Sequence, residues 1–167
     1  ININSKDREH LYKIRNALFL ENIIGRKART GEKEKRYSYL QFGDVIFYKF
    51  LNEIGLTSKK SLSMGSLKIN ERFFPDFLRG VIDGDGNIST WIHRTNFNRQ
   101  WCLRIFSGSP EFIEWLKNSI ERYFGMQGKL YLKKRTDRKN AHYTLKYGKN
   151  HAKIILGKLY YDGCLSM

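Results

Sequence analysis

Two aspartates near the middle of the chain are the residues best suited to bind a metal ion. Asp83 and Asp85 end a segment, residues 73–87, in which Pro75 is typical of a first helical turn and Gly86 of a helix end. Both carboxylates therefore lie at a helix C-terminus, where the helix dipole disfavours negative charge. A divalent cation would explain this placement, because the carbonyl groups of the helix end add further oxygen ligands. The alternative is an ordinary helix end with two solvated acids.

Two other kinds of binding loop share letters with this segment, and the sequence excludes both. An EF-hand loop that began at Asp83 would need glycine where Ile88 stands and glutamate where Arg94 stands. A dinucleotide-binding loop needs a third glycine and a preceding strand, whereas Gly84 and Gly86 follow a predicted helix. A metal-binding helix end and a plain helix end therefore remain as the two interpretations.

Two glycines inside the same predicted helix indicate a close contact with another helix. Gly80 and Gly84 are four residues apart, so they lie on one helix face. Each costs about 1 kcal/mol relative to alanine in a helix interior. Close approach of a second helix explains why this cost is tolerated, because any side chain larger than hydrogen would keep the two backbones apart.

The charge of the chain points to a polyanionic partner. Among 167 residues, 31 are Lys or Arg and 16 are Asp or Glu, which gives a net charge of +15. Nucleic acid is the first candidate for a partner that neutralises such a surplus. The sequence has no apolar run of membrane-spanning length and no signal peptide, so we expect a soluble protein with no membrane partner. Two cysteines are too few for a disulfide scaffold, which favours a reducing, intracellular compartment.

The strands and helices that must position these residues occur in the same order twice. A capping pattern at Ser109 and Pro110, closed by Gly125, predicts a helix in the second half. Alternating apolar and polar residues predict strands around it at 87–94, 100–105, 129–133 and 142–147, with a closing helix at 150–160. The first half repeats this order from its second strand onward, about 102 residues earlier, and Ser5 is predicted to cap a helix that ends near Leu20.

The outward faces of the predicted strands carry side chains suited to DNA. Arg, Lys, Gln and Asn can pair with base edges in the major groove, and a pair of β-strands fits that groove. In the second half the outward residues are Asn87, Ser89, Trp91, His93, Gln100, Arg104, Lys129, Tyr131, Lys133, His142, Thr144 and Lys146. In the first half they are Asn2, Asn4, Tyr37, Tyr39 and Gln41. For Trp91 and Tyr131, crowding against a neighbouring strand is an equal explanation. Ile88 and Ile92 point inward, which predicts that the first strand is half-buried.

Two dense basic clusters fall near strand ends and loops. They occupy residues 26–29 and 133–139. Clusters of this kind suit contacts with phosphates, which position a protein on DNA without reading its sequence.

The segment Leu78–Gly86 reads L-R-G-V-I-D-G-D-G and closely resembles the L-A-G-L-I-D-A-D-G signature of the LAGLIDADG homing endonucleases, with Arg79 as its least typical letter. The resemblance implies an α+β fold made of two tandem αββαββα repeats, whose antiparallel sheets form two saddles on DNA. It divides the chain into residues 1–72 and 73–167. The first repeat would be truncated at its N-terminus and lack its signature helix, and the second would contain one.

The resemblance also assigns roles to single residues. It implies that Asp85 is the catalytic metal ligand, that Gly84 adds its backbone carbonyl, and that the ion is Mg²⁺ or another divalent cation. Lys60 matches a lysine that the family places near the active site, with Lys59 as the alternative. The helix interface is expected at Gly80, Gly84 and Asp83.

The function implied by the resemblance is site-specific cleavage of double-stranded DNA at a long recognition site. A cut needs two carboxylates, and the chain has one signature, so we expect a fragment that is inactive alone or that self-associates through the signature helix. The alternative is a non-catalytic nucleic-acid binder with the same fold, either an intron RNA maturase or a DNA-binding regulator. Such a binder would not require a metal.

Overall fold

The computed structural model describes residues 1–28, 30–31, 33–57, 63–133 and 142–165. Within these ranges the chain forms five α-helices and seven strands. It divides into an N-terminal unit, Ile1–Phe50 with Leu165, and a C-terminal unit, Leu51–Cys164. No helix among the described residues is both long enough and apolar enough to span a membrane. The boundary predicted between the repeats, after residue 72, stays a prediction.

The N-terminal unit is built on a three-stranded antiparallel sheet. Its elements are β1 (Asn2–Ser5), α1 (Arg8–Ala17), β2 (Ile24–Lys27), β3 (Tyr37–Gln41) and α2 (Val45–Glu53), the last of which continues past the unit boundary. The strand order is β1-β3-β2, with β3 in the centre. A small core of buried side chains lies between the sheet and α1, and it contains Leu11, Ile24, Leu40 and Phe42.

The cap of α1 differs from the predicted one. The N-cap is Asp7, whose carboxylate accepts hydrogen bonds from the backbone N–H groups of Glu9 and His10. Ser5 lies two residues earlier, and its hydroxyl accepts a hydrogen bond from the N–H of Asp7. The prediction of Ser5 as the cap is therefore wrong, because a carboxylate at position 7 reaches the first free N–H groups of the helix directly.

The C-terminal unit is built on a four-stranded antiparallel sheet. After a short 3-10 turn its elements are α3 (Phe74–Asp85), β4 (Gly86–Ile92), β5 (Arg99–Ser107), α4 (Pro110–Phe124), β6 (Lys129–Lys133), β7 (His142–Tyr147) and α5 (Lys149–Leu159). The strand order is β4-β5-β7-β6. As predicted, Ser109 caps α4 with Pro110 in its first turn, and Gly125 ends it in the left-handed conformation with φ of 69°.

The repeated order of elements is present in both sheets. The order β1-β3-β2 in the first matches β5-β7-β6 in the second, so α1 corresponds to α4 and α2 to α5. Among the described residues, the first sheet has no strand that corresponds to β4. The α+β fold with two antiparallel sheets, expected from the sequence, is thus the fold of the chain.

The core of the C-terminal unit lies between the inner face of the sheet and helices α3, α4 and α5. Its fully buried side chains include Leu78, Leu103, Leu116 and Leu145. The predicted half-burial of the first strand is wrong, because Ile88 is 43% exposed and Ile92 is 59% exposed. β4 is an edge strand of this sheet, and the helices pack mainly against the inner strands β5 and β7.

Candidate nucleic-acid interface

A row of polar side chains crosses all four strands of the second sheet. The strand register pairs Asn87 with Arg104, Arg104 with Lys146, and Lys146 with Lys129. Residues directly opposite one another on neighbouring strands point to the same face of a sheet. The Nη1 of Arg104 donates hydrogen bonds to Ser89 Oγ at 3.0 Å and to Asn87 Oδ1 at 3.3 Å. The guanidinium is therefore held in place by β4, and its other N–H groups can donate to a ligand.

Most of the other predicted contact residues of this sheet lie on the same face. Trp91 pairs with Gln100, and Tyr131 pairs with Thr144. Ten of the twelve residues predicted for this sheet share the face: Asn87, Ser89, Trp91, Gln100, Arg104, Lys129, Tyr131, His142, Thr144 and Lys146. The backbone of Lys133 pairs with that of His142, and its side chain lies outside the described part of the chain. His93 follows β4 in the loop that leads to β5.

An open groove of about 590 Å³ lies at one end of this face. It is lined by Gln100, Lys129, Tyr131 and Lys146 from the strands and by the first residues of α5, Lys149 to His151. Among the described residues that line it, none is acidic. The groove therefore combines several cationic side chains with one aromatic ring, a composition that suits a phosphodiester chain.

The first sheet presents a similar face. Asn2 pairs with Gln41, with its Nδ2 3.3 Å from Gln41 Oε1, and Asn4 pairs with Tyr39. Tyr39 also pairs with Gly25, and a Cβ atom at Gly25 would lie 2.4 Å from the tyrosine ring. Glycine is required there because the ring lies across the neighbouring strand. The five residues predicted for this sheet thus share one polar face.

The last turn of α3 places Asp85 at the edge of the second sheet. Gly86 turns the chain from helix to strand, and a Cβ atom there would lie 2.3 Å from the carbonyl oxygen of Ile82. Glycine therefore permits a sharp junction, and exposed Asp85 stands two residues before Asn87 in the polar row. Lys60, Arg29 and residues 134–139 lie outside the described residues.

Asp85 alone does not make a metal site. No group of three His, Cys, Asp or Glu side chains that could hold a metal ion occurs among the described residues. An exposed carboxylate beside the carbonyl groups of a helix end fits part of the oxygen ligand set that Mg²⁺ prefers. Further ligands must come from other groups, such as DNA phosphates, water or a second carboxylate.

The two glycines of α3 face open space. No described atom lies within 4 Å of a Cβ built at Gly80 or at Gly84. Packing among the described residues therefore does not require glycine at either position. Asp83 accepts a hydrogen bond from the Tyr160 hydroxyl at 2.5 Å, and its predicted place in a helix interface with the two glycines stays a prediction.

The chain matches a known protein family over its C-terminal half. The model of the LAGLIDADG-like domain matches residues 76–160, just over half of the chain. The chain belongs to the LAGLIDADG family. No curated protein sequence matches it.

Its fold is similar to that of a solved LAGLIDADG protein. That structure is described as the crystal structure of LAGLIDADG homing endonuclease I-GzeII in complex with DNA target. The TM-score is 0.54, the match covers 98% of this chain and 74% of that chain, and the sequence identity is 11%. At this identity the similarity establishes the fold.

Contacts around Arg79 explain the unusual letter in the LAGLIDADG signature. The Arg79 side chain is buried, and its guanidinium lies 2.7 Å from the Asp76 carboxylate and 3.0 Å from the Leu159 carbonyl oxygen. The hydroxyl of Tyr161 also donates to Asp76, at 2.9 Å. Arg79 thus joins the signature helix α3 to the end of α5. Sequence reasoning missed this contact, although an arginine within an apolar helix face was a visible signal.

The Asp83–Tyr160 pair is a second link between these elements. Burial raises the pKa of Tyr160, and so do its hydrogen bond to Asp83 and the negative charge of that carboxylate. The matched family region ends at Tyr160, so both partners of this pair lie within it. In this LAGLIDADG protein, Asp76, Arg79 and Asp83 of α3 therefore bind the end of α5 and the two tyrosines that follow it. The face of α3 with Gly80 and Gly84 stays exposed.

Proposed function

We propose that this LAGLIDADG protein is a site-specific double-strand DNA endonuclease that requires a divalent cation such as Mg²⁺. The observation that carries the proposal is the acid-free row Asn87, Arg104, Lys146 and Lys129, which crosses the whole second sheet. Its members are side chains that bind base edges and phosphates. The net charge of +15 favours a polyanion on this face.

We assign reading of the duplex to the outer faces of the sheets. Arg104 is oriented by Asn87 and Ser89, which leaves N–H donors for the O6 and N7 atoms of a guanine or for a phosphate. Lys129 and Lys146 lie beside it and suit phosphate contacts. A face that extends over several strand residues suits a long recognition site.

We assign metal binding to Asp85, with the Gly84 carbonyl as a further ligand and Lys60 as a nearby cation. When bound, a divalent cation would stabilise the charge that develops on the scissile phosphate. Asp85 is exposed and close to the polar row, so its carboxylate can reach a phosphate that the row positions. The exposed glycine face of α3 would bring a second signature helix, with its own acid, beside the first.

A non-catalytic nucleic-acid binder is the second candidate. The observation that favours it is that the described residues contain no cluster of three metal-ligating side chains. A binder would show the steep salt dependence of phosphate contacts but no requirement for a metal.

A selection for cleaved duplexes from a randomised library, with and without Mg²⁺, tests the proposal. The wild-type chain should cut a subset of sequences, and Asp85→Asn should bind those sequences and leave them uncut. Asp162→Asn removes an exposed acid outside the proposed site and serves as the matched control. Equal cutting by Asp85→Asn would remove Asp85 from the proposal, and metal-independent binding without any cutting would favour the binder.

A further inference from the structure

The tip of the β4–β5 hairpin carries an exposed phenylalanine in a strained conformation. Phe97 has a φ of 53° and is 79% exposed. The left-handed region is costly for a bulky side chain, and glycine or asparagine takes it with less strain. Asn96 and Asn98 stand on either side of Phe97. Asparagine, which adopts the left-handed conformation more easily, thus stands on both sides of Phe97, while the strained position itself holds phenylalanine.

Hydrogen bonds of the loop hold Phe97 in this conformation. The N–H of Phe97 donates to the carbonyl of His93 at 3.0 Å, and the N–H of His93 donates to the carbonyl of Asn98 at 2.9 Å. The N–H of Thr95 donates to His93 Nδ1, and that of Asn98 donates to Asn96 Oδ1. The loop is thus ordered by its own polar groups, and the exposed ring contributes little buried apolar surface to the fold.

The sequence on both sides of Phe97 is cationic. Residues 86–110 contain three arginines and no Asp or Glu. Two of these arginines, Arg94 and Arg99, flank the hairpin tip in sequence and are exposed. Arg99 pairs with Ile92 and so lies on the face opposite Trp91 and Gln100, whereas Arg94 stands in the loop itself. β4 and β5 also supply Trp91 and Gln100, the last pair before the loop on the face that carries the polar row. Duplex DNA suits both features of the loop, because its phosphates bind a cationic side chain and its stacked bases accept an exposed aromatic ring.

We propose that Phe97 is a wedge that inserts at a base step of duplex DNA, while Arg94 in the same loop binds a phosphate beside it. Apolar side chains that enter a base step partly unstack it, and so they unwind and bend the duplex. The wedge rests on the proposed function, because it requires that the outer face of the second sheet lies on duplex DNA. It adds a contact outside the strands and a mode of reading that depends on how easily the DNA deforms.

A second phenylalanine provides a matched control. Phe19 follows α1, has a φ of 52° and is 94% exposed, so it carries the same strain and a similar exposure. It stands at a helix end and not on a hairpin of the polar sheet. Replacing either residue with glycine should relieve strain, and the wedge requires that only Phe97→Gly changes the DNA.

Two assays on the full chain test the wedge without knowledge of the target sequence. In the first, relaxation of a closed circular plasmid by topoisomerase in the presence of protein reports unwinding. In the second, fluorescence anisotropy at one fixed salt concentration reports affinity for a mixed-sequence duplex and for heparin, a polyanion without bases. Phe97→Gly should abolish unwinding and weaken duplex binding about fivefold or more, since stacking contacts are worth that much per base. Heparin binding and Tm should not fall.

Three other outcomes are decisive. If Phe97→Gly unwinds and binds the duplex like wild type, the wedge is overturned while the proposed function stands. If Phe19→Gly loses unwinding equally, the effect does not belong to the hairpin, and the wedge is again overturned. If wild type binds neither the plasmid nor the mixed-sequence duplex measurably, the proposed function itself fails.

Discussion

The two units of this LAGLIDADG protein have corresponding elements, but they bury their last helices very differently. In the C-terminal unit α5 buries Ala152, Ile155 and Leu159 in the core. In the N-terminal unit the corresponding helix α2 has no fully buried residue, and Ile46 is 83% exposed although the helix is rich in apolar side chains. The surroundings of α5 differ from those of α2 mainly by the presence of α3, which packs against α5 and is hydrogen-bonded to its end.

The comparison shows what a signature helix does for its own unit. Among the described residues, the core cluster of the C-terminal unit contains sixteen buried side chains and that of the N-terminal unit contains four. The signature helix supplies Phe74, Leu78 and Ile82 to the larger core. Besides carrying Asp85, it therefore provides the apolar surface that buries the other helices of the unit.

Truncation of a core leucine in each unit tests this difference most strongly. Leu103 and Leu40 are both fully buried, and both lie on inner strands of their sheets, Leu103 on β5 and Leu40 on β3. Leu103→Ala should lower the free energy of unfolding by about 3 kcal/mol, since a densely surrounded cavity cannot collapse. Leu40→Ala should cost about 2 kcal/mol, because a small core relaxes more easily. Urea denaturation measures both, and a larger loss for Leu40→Ala would contradict the comparison.

An arginine–carboxylate pair from each unit can be compared, because the arginine is buried in Arg79–Asp76 and exposed in Arg36–Glu34. Arg79→Met should destabilise the protein by about 2 kcal/mol, because it leaves the Leu159 carbonyl and Asp76 without their charged donor. The matched variant is Arg36→Met, which removes the exposed pair with Glu34 and should cost less than about 0.5 kcal/mol. Thermal unfolding of both variants checks this, and equal shifts in Tm would show that burial of Arg79 contributes nothing.

Substitution of an exposed glycine separates folding from association. Gly80→Ala should raise the stability of the monomer by about 1 kcal/mol, because no described atom would contact the new methyl group and alanine favours a helix. If the face pairs with another signature helix, the same methyl should weaken self-association in sedimentation experiments. Ala17→Gly in α1, the reverse change near a helix end, is the control, and it should leave association unchanged.

High pH should produce the smallest effect, through the pair between α3 and α5. The raised pKa of Tyr160 means that the folded protein holds this hydroxyl proton more tightly than the unfolded chain does. Its contribution is therefore complete below pH of about 10, the ordinary tyrosine pKa, and is lost as the pH rises toward the higher folded value. Tyr160→Phe should lose stability at neutral pH and show a shallower decline above pH of about 10. An unchanged slope in urea denaturation would rule out this linkage.

Local patterns predicted much of the fold. The stop of α4 at Gly125 depends on that residue alone, because glycine takes the left-handed conformation without strain. The shared face of Asn87, Arg104 and Lys146 followed from strand alternation, which has a strict period of two residues. The cap at Asp7 was missed because Ser5 is also a good capping residue, and local propensity does not choose between them.

Other features depend on contacts between distant parts of the chain. The exposure of Ile88 and Ile92 follows from the edge position of β4, which alternation cannot reveal. The environment of Arg79 depends on a carbonyl group eighty residues away. The strained conformation of Phe97 arises from the hydrogen bonds of its loop, where the sequence alone predicts only a turn.

The sequence by itself determined the family, through the signature at residues 78–86, together with the cationic character and the alternation that sorts polar side chains onto one face of each sheet. These properties depend on residue types at short, fixed spacings. Tertiary structure alone decided which strands are edges and that Asp83 and Arg79 link α3 to the end of α5 and to Tyr160. It also left Gly80 and Gly84 without contacts from the described part of the chain. Those outcomes depend on contacts between residues that are far apart in the sequence. Such contacts are set by the packing of the whole unit and not by neighbouring residues.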